Sequence, residues 1–231
     1  STSNSEFNLS LYRDGVIVAS ALSGTGAQEN ILFGNGTYNY TVLFNGSANY
    51  TDTIQNFFVI VNKGVINGTM TASNVTYSAV NVVPQESNNP GDSDVNYTLW
   101  RNTTLVSSSL GSAPSADTSQ LSADFYIYVL NSSGGANWSS NASIASSIVV
   151  VNKGSVALNL LFNGTSNANK TYTYPNSVNS TGSINSTSNS EFNLSLYRDG
   201  VIVNTTTAEN FATENIGLGN ATYNYTVLFT G

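Results

Sequence analysis

The chain has 231 residues, of which 40% are hydrophobic and 8% are charged, and its net charge is −7. Six Lys and Arg residues are too few for basic phosphate-binding clusters, and the absence of His and Cys excludes Ser-His-Asp and Cys-His catalysis, His-rich metal sites and disulfides. Because no run of 18 apolar residues occurs, the sequence predicts no membrane span. We also expect neither a nucleic-acid partner nor a bound cofactor.

The first predicted element is a β-hairpin. Apolar and polar residues alternate over 7–11, which is the period of a half-buried strand. Asp14 and Gly15 then provide a turn of the kind that needs positive φ, and a short apolar strand begins at 16–18. The same hairpin is predicted again near the end of the chain, over 192–203.

The next predicted strands also have a period of two. Tyr38, Tyr40, Val42 and Phe44 are predicted to point to one face, while Asn39 and Thr41 point to the other. Short apolar runs at 57–61 and 148–151 each close a repeat. Because no stretch has a 3.6-residue pattern, the sequence predicts an all-β protein made of β-sandwiches with about seven short strands each.

The chain contains a long internal repeat. Residues 1–18 recur unchanged at 186–203, and the match continues without a gap to the end of the chain, with 33 of 46 positions identical. Near-identity over this length indicates a recent duplication. Repetition along one chain is typical of an array or fibre, because each unit then contacts mainly its neighbours.

A weaker repeat divides the chain further, since the sequence VNKG occurs at 61–64 and again 90 residues later. We therefore predict a partial module at 1–64 that lacks its first strands, a complete module at 65–154, and a partial module at 155–231 that lacks its last strand. This division leads us to expect a segment of a longer array.

The repeats also resemble a known family. GTYNYTVLFNGSANYT at 36–51, followed by the strand that ends in VNKG, is similar to the close of group 3 bacterial and archaeal immunoglobulin-like domains, and LYRDGVIV at 11–18 resembles their central hairpin. The middle module departs from the pattern, because it reads Ala-Asp-Phe-Tyr at 123–126 where the family has Gly-x-Tyr. The resemblance implies tandem immunoglobulin-like β-sandwiches in a linear array, in a secreted or surface protein of archaeal type.

The most frequent motif is Asn-x-Ser/Thr, the acceptor sequence for N-linked glycans. It occurs 20 times among 34 Asn residues, whereas the Ser and Thr content alone gives about nine. The excess favours glycosylation, and the alternative is that Asn and Thr simply cover the solvent face of the strands. The candidate glycosylation sites are Asn8, Asn35, Asn39, Asn45, Asn49, Asn67, Asn74, Asn96, Asn102, Asn131, Asn137, Asn141, Asn163, Asn169, Asn179, Asn185, Asn193, Asn204, Asn220 and Asn224. Asn49 and Asn137 hold equivalent module positions and are the strongest candidates.

Several other residues are candidates for a functional role. The tyrosines at 38, 40, 223 and 225 are predicted to lie in the core or in a tyrosine corner, and the alternative is an aromatic sugar platform. Asp92 and Asp94 are predicted to form a plain turn, because the loop lacks the spacing of a calcium site. Glu29 recurs with its repeat and is predicted to be structural. No catalytic or metal-binding residue is predicted.

These observations favour a structural protein. We expect a component of an extracellular filament, stalk or surface layer, located at the cell surface, N-glycosylated and associating with further copies of the same repeat. One alternative is an adhesin region that binds glycans or neighbouring cells, for which Trp100 and Trp138 are the candidate aromatics. Another is the accessory region of a secreted hydrolase.

Overall fold

The computed structural model describes residues 8–22, 26–87, 92–184, 192–207 and 211–231. This part of the chain contains eighteen strands and no helix, so it also contains no helix that is able to cross a membrane. The chain divides into two compact units, Ser1–Lys153 and Gly154–Gly231.

The first unit begins with a four-stranded antiparallel sheet in the order β2-β1-β3-β4. Its strands are β1 (Asn8–Arg13), β2 (Val16–Leu22), β3 (Gly36–Phe44) and β4 (Thr53–Val61). The predicted hairpin joins β1 to β2, and both Asp14 and Gly15 have positive φ, at 48° and 82°. The register pairs Leu11 with Val42, which places these side chains on one face of the sheet.

The rest of the first unit forms a module with its own core. A five-stranded sheet in the order β6-β11-β10-β8-β9 is accompanied by the pair β5-β7. The strands are β5 (Gly68–Thr71), β6 (Val75–Thr76), β7 (Val83–Glu86), β8 (Asn96–Arg101), β9 (Thr104–Leu110), β10 (Asp124–Ser132) and β11 (Asn141–Asn152). Val80 and Val82 pack against Leu99, Tyr128 and Val149, and all five are buried. The segment before β8 therefore covers the inner face of this sheet.

The second unit is a two-layer sandwich. One sheet has the order β13-β12-β14-β17 and the other has the order β16-β15-β18. The strands are β12 (Leu158–Phe162), β13 (Thr165–Ser166), β14 (Ser177–Ile184), β15 (Asn193–Arg198), β16 (Val201–Thr207), β17 (Phe211–Gly217) and β18 (Tyr225–Thr230). Ile184 of the first sheet packs with Leu194 and Leu196 of the second, and these residues form the core.

The structure confirms an all-β chain of tandem sandwich modules with hairpins where the sequence predicts them. The side chains of 38–44 alternate between faces as expected, because Tyr40 pairs with Phe57 and Asn39 pairs with Phe58. The division into three modules stays a prediction: the unit boundary adjoins the predicted boundary at 154, whereas the predicted boundary at 64 lies inside the first unit.

Candidate functional site

The most polar buried site lies in the middle module. Asp117 is 2% exposed, and its Oδ2 accepts hydrogen bonds from Arg101 at 2.6 Å and from the Tyr128 hydroxyl at 2.7 Å. The other oxygen, Oδ1, accepts a bond from the Ser119 amide at 2.9 Å and a second bond from the Ser119 hydroxyl. This carboxylate is therefore satisfied from several sides, as a buried charge must be.

These contacts shift the pKa values of the site. Burial alone would raise the pKa of Asp117, but the hydrogen bonds from Ser119 and Tyr128 and the charge of Arg101 outweigh it and lower the pKa. Burial, with the hydrogen bond to Asp117, raises the pKa of Tyr128 to about 12. The phenol and the ion pair therefore keep their protonation states across the neutral range.

The same arrangement of arginine, acid and tyrosine occurs near each end of the chain. Near the start, Arg13 lies 2.9 Å from Glu29, and the Tyr40 hydroxyl donates to Glu29 at 2.6 Å. Removal from solvent, followed by the bond to Glu29, raises the pKa of Tyr40. These triads account for every ion pair found in the part of the chain that the structure describes.

The triad of the second unit joins the two sheets of the sandwich. Glu214 lies on β17, whereas Arg198 and Tyr225 lie on β15 and β18 of the opposite sheet. Arg198 forms an ion pair with Glu214, and the Tyr225 hydroxyl donates to the same carboxylate at 2.7 Å. The triad therefore ties one layer to the other, which is a structural task.

Sequence reasoning found the tyrosines and Glu29 but not the triads. A signal was present, because in each repeat the acid follows the arginine by 16 residues and the tyrosine follows it by 27. All three arginines of the chain belong to this pattern. Periodicity did not find it, because the acid lies on a connecting segment in the first two triads and on a strand in the third.

A second polar device fixes each hairpin to the neighbouring strand. Asp199 begins the β15-β16 turn with φ of 52°, its Oδ1 accepts from the Asn224 amide at 2.8 Å, and its own amide donates to the Asn224 carbonyl at 2.8 Å. Asp14, Asn102 and Asn163 hold the corresponding positions in the other hairpins and make the same pair of bonds. A side-chain oxygen is the shared requirement, since both Asp and Asn occur.

The tyrosines are structural, as predicted for them. The Tyr38 hydroxyl donates to the Gly34 carbonyl at 3.0 Å, and Tyr223 makes the same bond to Gly219 at 3.3 Å. These are tyrosine corners, in which the hydroxyl bonds to backbone a few residues upstream. Tyr126 bonds to Ser122 in the same way, so the middle module keeps the corner without the Gly-x-Tyr pair.

The asparagines of the Asn-x-Ser/Thr motifs lie at the surface. Asn185 falls outside the described residues, and none of the other nineteen is buried. Asn39, Asn96, Asn131, Asn141 and Asn204 are half-buried, and the remaining fourteen are exposed. The motif therefore follows the solvent-facing positions of the strands and turns.

The two asparagines that the sequence singles out have different surroundings. Asn49 is exposed on a tight turn that is closed by a bond from the Ser47 amide to the Tyr50 carbonyl at 2.8 Å. Asn137 is exposed too, but its Oδ1 accepts a bond from the Asn35 amide at 2.7 Å. The acceptor at Asn49 is therefore the less constrained of the two.

The end of the first VNKG sequence is held by the middle module. Gly64 makes two backbone bonds, from its amide to the Asn137 carbonyl and from the Ser139 amide to its own carbonyl, both at 2.9 Å. A Cβ on Gly64 would lie 2.8 Å from the Trp138 ring, so only glycine allows this approach. Lys63 adds a bond to the Gly135 carbonyl at 2.7 Å.

The remaining candidates also make internal contacts. The indole of Trp100 donates to the Thr98 hydroxyl at 2.9 Å, and the indole of Trp138 donates to Asp92 at 3.0 Å. Asp94 accepts a bond from the Ala136 amide at 2.6 Å. Within the described residues, no group of three or more acids has the geometry to hold a metal ion.

Comparisons with known proteins find solved structures that are similar to this chain, and two of them are arrays or modules of the fibronectin-III type. No protein family matches the chain, and no curated protein matches it. The central fibronectin-III array of RIM-binding protein is 12% identical, covers 94% of this chain and 77% of its own, and has a TM-score of 0.28. The fibronectin(III)-like modules of Clostridium thermocellum CbhA are 10% identical, cover 66% and 80% respectively, and have a TM-score of 0.29.

The polar contacts described above hold strands and connecting segments of each module together. Each acid of a triad is held by an arginine and a tyrosine, and each hairpin is held by a side-chain oxygen, so these polar groups already satisfy one another. The same devices recur at matching positions in successive repeats. A device that recurs in this way stabilises the module rather than serving a single reaction centre.

Proposed function

We propose that the chain is a structural component of an extracellular filament, stalk or surface layer, built from tandem N-glycosylated immunoglobulin-like modules, with no enzymatic activity of its own. The observation that carries this proposal is the placement of the motif asparagines, since none of the nineteen described is buried. A sugar on one of the fourteen exposed side chains would project into solvent and would not disturb a core.

The charge distribution supports the same proposal. The three arginines are used inside the modules, and Asn, Ser and Thr supply most of the remaining polar surface. Exposed strand edges recruit one another, and a coat of glycans would limit lateral aggregation of neighbouring modules. Repetition of the same module along the chain suits a spacer or fibre.

The test is production of the chain in a host with N-linked glycosylation, followed by glycopeptide mapping and electron microscopy. We expect occupied acceptors, with higher occupancy at Asn49 than at Asn137, and assemblies in the images. Thr51→Ala and Ser139→Ala remove the two acceptor motifs without changing either asparagine and serve as matched controls. Bare asparagines together with discrete single particles would overturn the proposal.

A further inference from the structure

The sheet of β1–β4 presents an apolar face that is only partly covered. Its members are Leu9, Leu11, Val42, Phe57 and Val59, and they are called the open face below. They share one face because Leu11 pairs with Val42, and because Phe57 and Val59 pair with alternate residues of β3. Phe57 is 69% exposed and Val59 is 40% exposed, which is unusual for a sheet this apolar.

Several of the equivalent positions are buried in the other two modules. Leu194 and Leu196, the repeat partners of Leu9 and Leu11, are 0% exposed, whereas Leu9 and Leu11 are only half-buried. In the middle module, Val149 pairs with the corner tyrosine Tyr126 as Val59 pairs with Tyr38, and Val149 is also 0% exposed. The open face is therefore a core face that is only partly covered among the described residues, since Phe33 packs against Tyr38 and Tyr40 of the same face.

The second unit shows what covers such a face. Leu160 of β12 and Ile184 of β14 pack against Leu194 and Leu196. Gly182 lets β14 approach closely, since a Cβ there would lie 2.7 Å from Val227, the repeat partner of Val42. The residues that receive β12 and β14 thus have near-identical counterparts in the open face.

The segment that follows the hairpin has a different structure in the two repeats. Residues 211–217 form β17 by pairing with β14, including Ala212 with Gly182. The repeat counterpart, 26–32, keeps Ala27, Glu29, Asn30 and Ile31 but forms no strand. Residues 26–32 therefore have most of the sequence that pairs with β14 in the second unit, although they form no strand here.

We propose that the open face binds a strand pair with the sequence pattern of 155–184, supplied by a segment of the same repeat type. Docking would place Leu160 and Ile184 of the donor over Leu9 and Leu11, with Gly182 against Val42, and would convert 26–32 into a strand. This inference rests on the proposed function, because it names the contact through which successive modules join.

The test uses the full chain and a labelled peptide of residues 155–184 as the probe. We expect one peptide to bind per chain, with slowed hydrogen exchange at 9–11 and 26–32. Val42→Asn should weaken binding by more than about tenfold, since it places a polar group where Gly182 of the peptide would pack. Ile60→Asn is the matched control, because Ile60 is exposed on the opposite face and should leave binding unchanged.

Two further arms separate the outcomes. A peptide carrying Gly182→Val should not bind, because its side chain would clash with Val42. The proposal is overturned if the peptide does not protect 26–32, if Val42→Asn and Ile60→Asn behave alike, or if the chain alone forms a dimer that buries two open faces against each other. If the peptide binds to a chain that forms no assemblies and carries no glycans, this inference is supported and the proposed function is rejected. If the chain forms glycosylated assemblies but does not bind the peptide, the proposed function is supported and this inference is rejected.

Discussion

The Tyr128 hydroxyl donates to Asp117 at 2.7 Å and so ties strand β10 to the segment that connects β9 with β10. Asp117 also exchanges two backbone bonds with Val82, each at 3.0 Å, and Val82 belongs to the cover of the same core. The phenol and the carboxylate thus hold the cover, the connection and the sheet together at one point.

Replacement of Asp117 by Asn should destabilise the middle module by about 2 kcal/mol, because Arg101 would lose its counter-ion in a largely buried position. Hydrogen exchange of the β10 amides measures this loss within the module. Glu29→Gln is the matched control, and its expected effect is smaller because the Glu29 side chain is 14% exposed, whereas that of Asp117 is 2% exposed. Equal losses in the two variants would argue against the role of burial.

The acid response of the same variant follows from the lowered pKa of Asp117. In the native protein, this carboxylate contributes stability above the pKa of the unfolded chain, about 3.9, and the contribution is lost as the pH falls through the lower folded value. Asp117→Asn should remove this part of the pH dependence, so its stability relative to the native protein should recover in acid. A constant difference from pH 7 to acid would contradict the assignment.

The alkaline response concerns Tyr128, whose pKa is raised to about 12 in the folded protein. A tyrosine in the unfolded chain titrates near pH 10, so the stabilisation is complete below pH of about 10 and is lost as the pH rises towards 12. Tyr128→Phe should be less stable at neutral pH and should lose less stability between pH 10 and 12. Melting temperatures and tyrosinate absorbance, compared with Tyr12→Phe, measure this difference.

The sequence predicted the strands and hairpins because alternation and turn residues are local signals. It placed Asp14 and Gly15 in a turn, and it predicted either the core or a tyrosine corner for Tyr38, which the structure places in a corner. It did not predict the bonds from Glu29 to Arg13 and Tyr40, which depend on how a connecting segment crosses the sheet. Such contacts join residues that are distant in sequence, and only the spacing between repeats carries a trace of them.

Local sequence patterns also did not predict which apolar side chains are buried. Leu11 and Leu196 stand in identical sequence surroundings, yet only Leu196 is buried, because β12 and β14 pack over its sheet. Likewise, 26–32 and 211–217 share most of their central residues, but only the second range forms a strand. Tertiary context decides between these outcomes, which is why strand propensity alone is a weak guide.

The hairpin clamp predicts a graded pair of variants at Asp199. Asp199→Ala removes the oxygen that accepts from the Asn224 amide and should cost about 1–2 kcal/mol, since that amide loses its partner and Ala tolerates positive φ poorly. Asp199→Asn should cost less than about 0.5 kcal/mol, because Asn102 makes the same bonds in the middle module. Urea unfolding compares the two, and equal losses would show that charge rather than the acceptor oxygen is needed.

The contact between Gly64 and Trp138 predicts a defect that fluorescence detects. A methyl group at position 64 would lie 2.8 Å from the indole ring, so Gly64→Ala must displace Trp138 or the backbone, at a cost of about 1–3 kcal/mol. In a Trp100→Phe background, Trp138 is the single tryptophan, and its emission should shift to longer wavelength as the ring becomes more exposed. Lys63→Ala is the control, since it removes only the bond to the Gly135 carbonyl and should leave the emission nearly unchanged. An unshifted spectrum in Gly64→Ala would mean that the ring does not pack against residue 64 in solution.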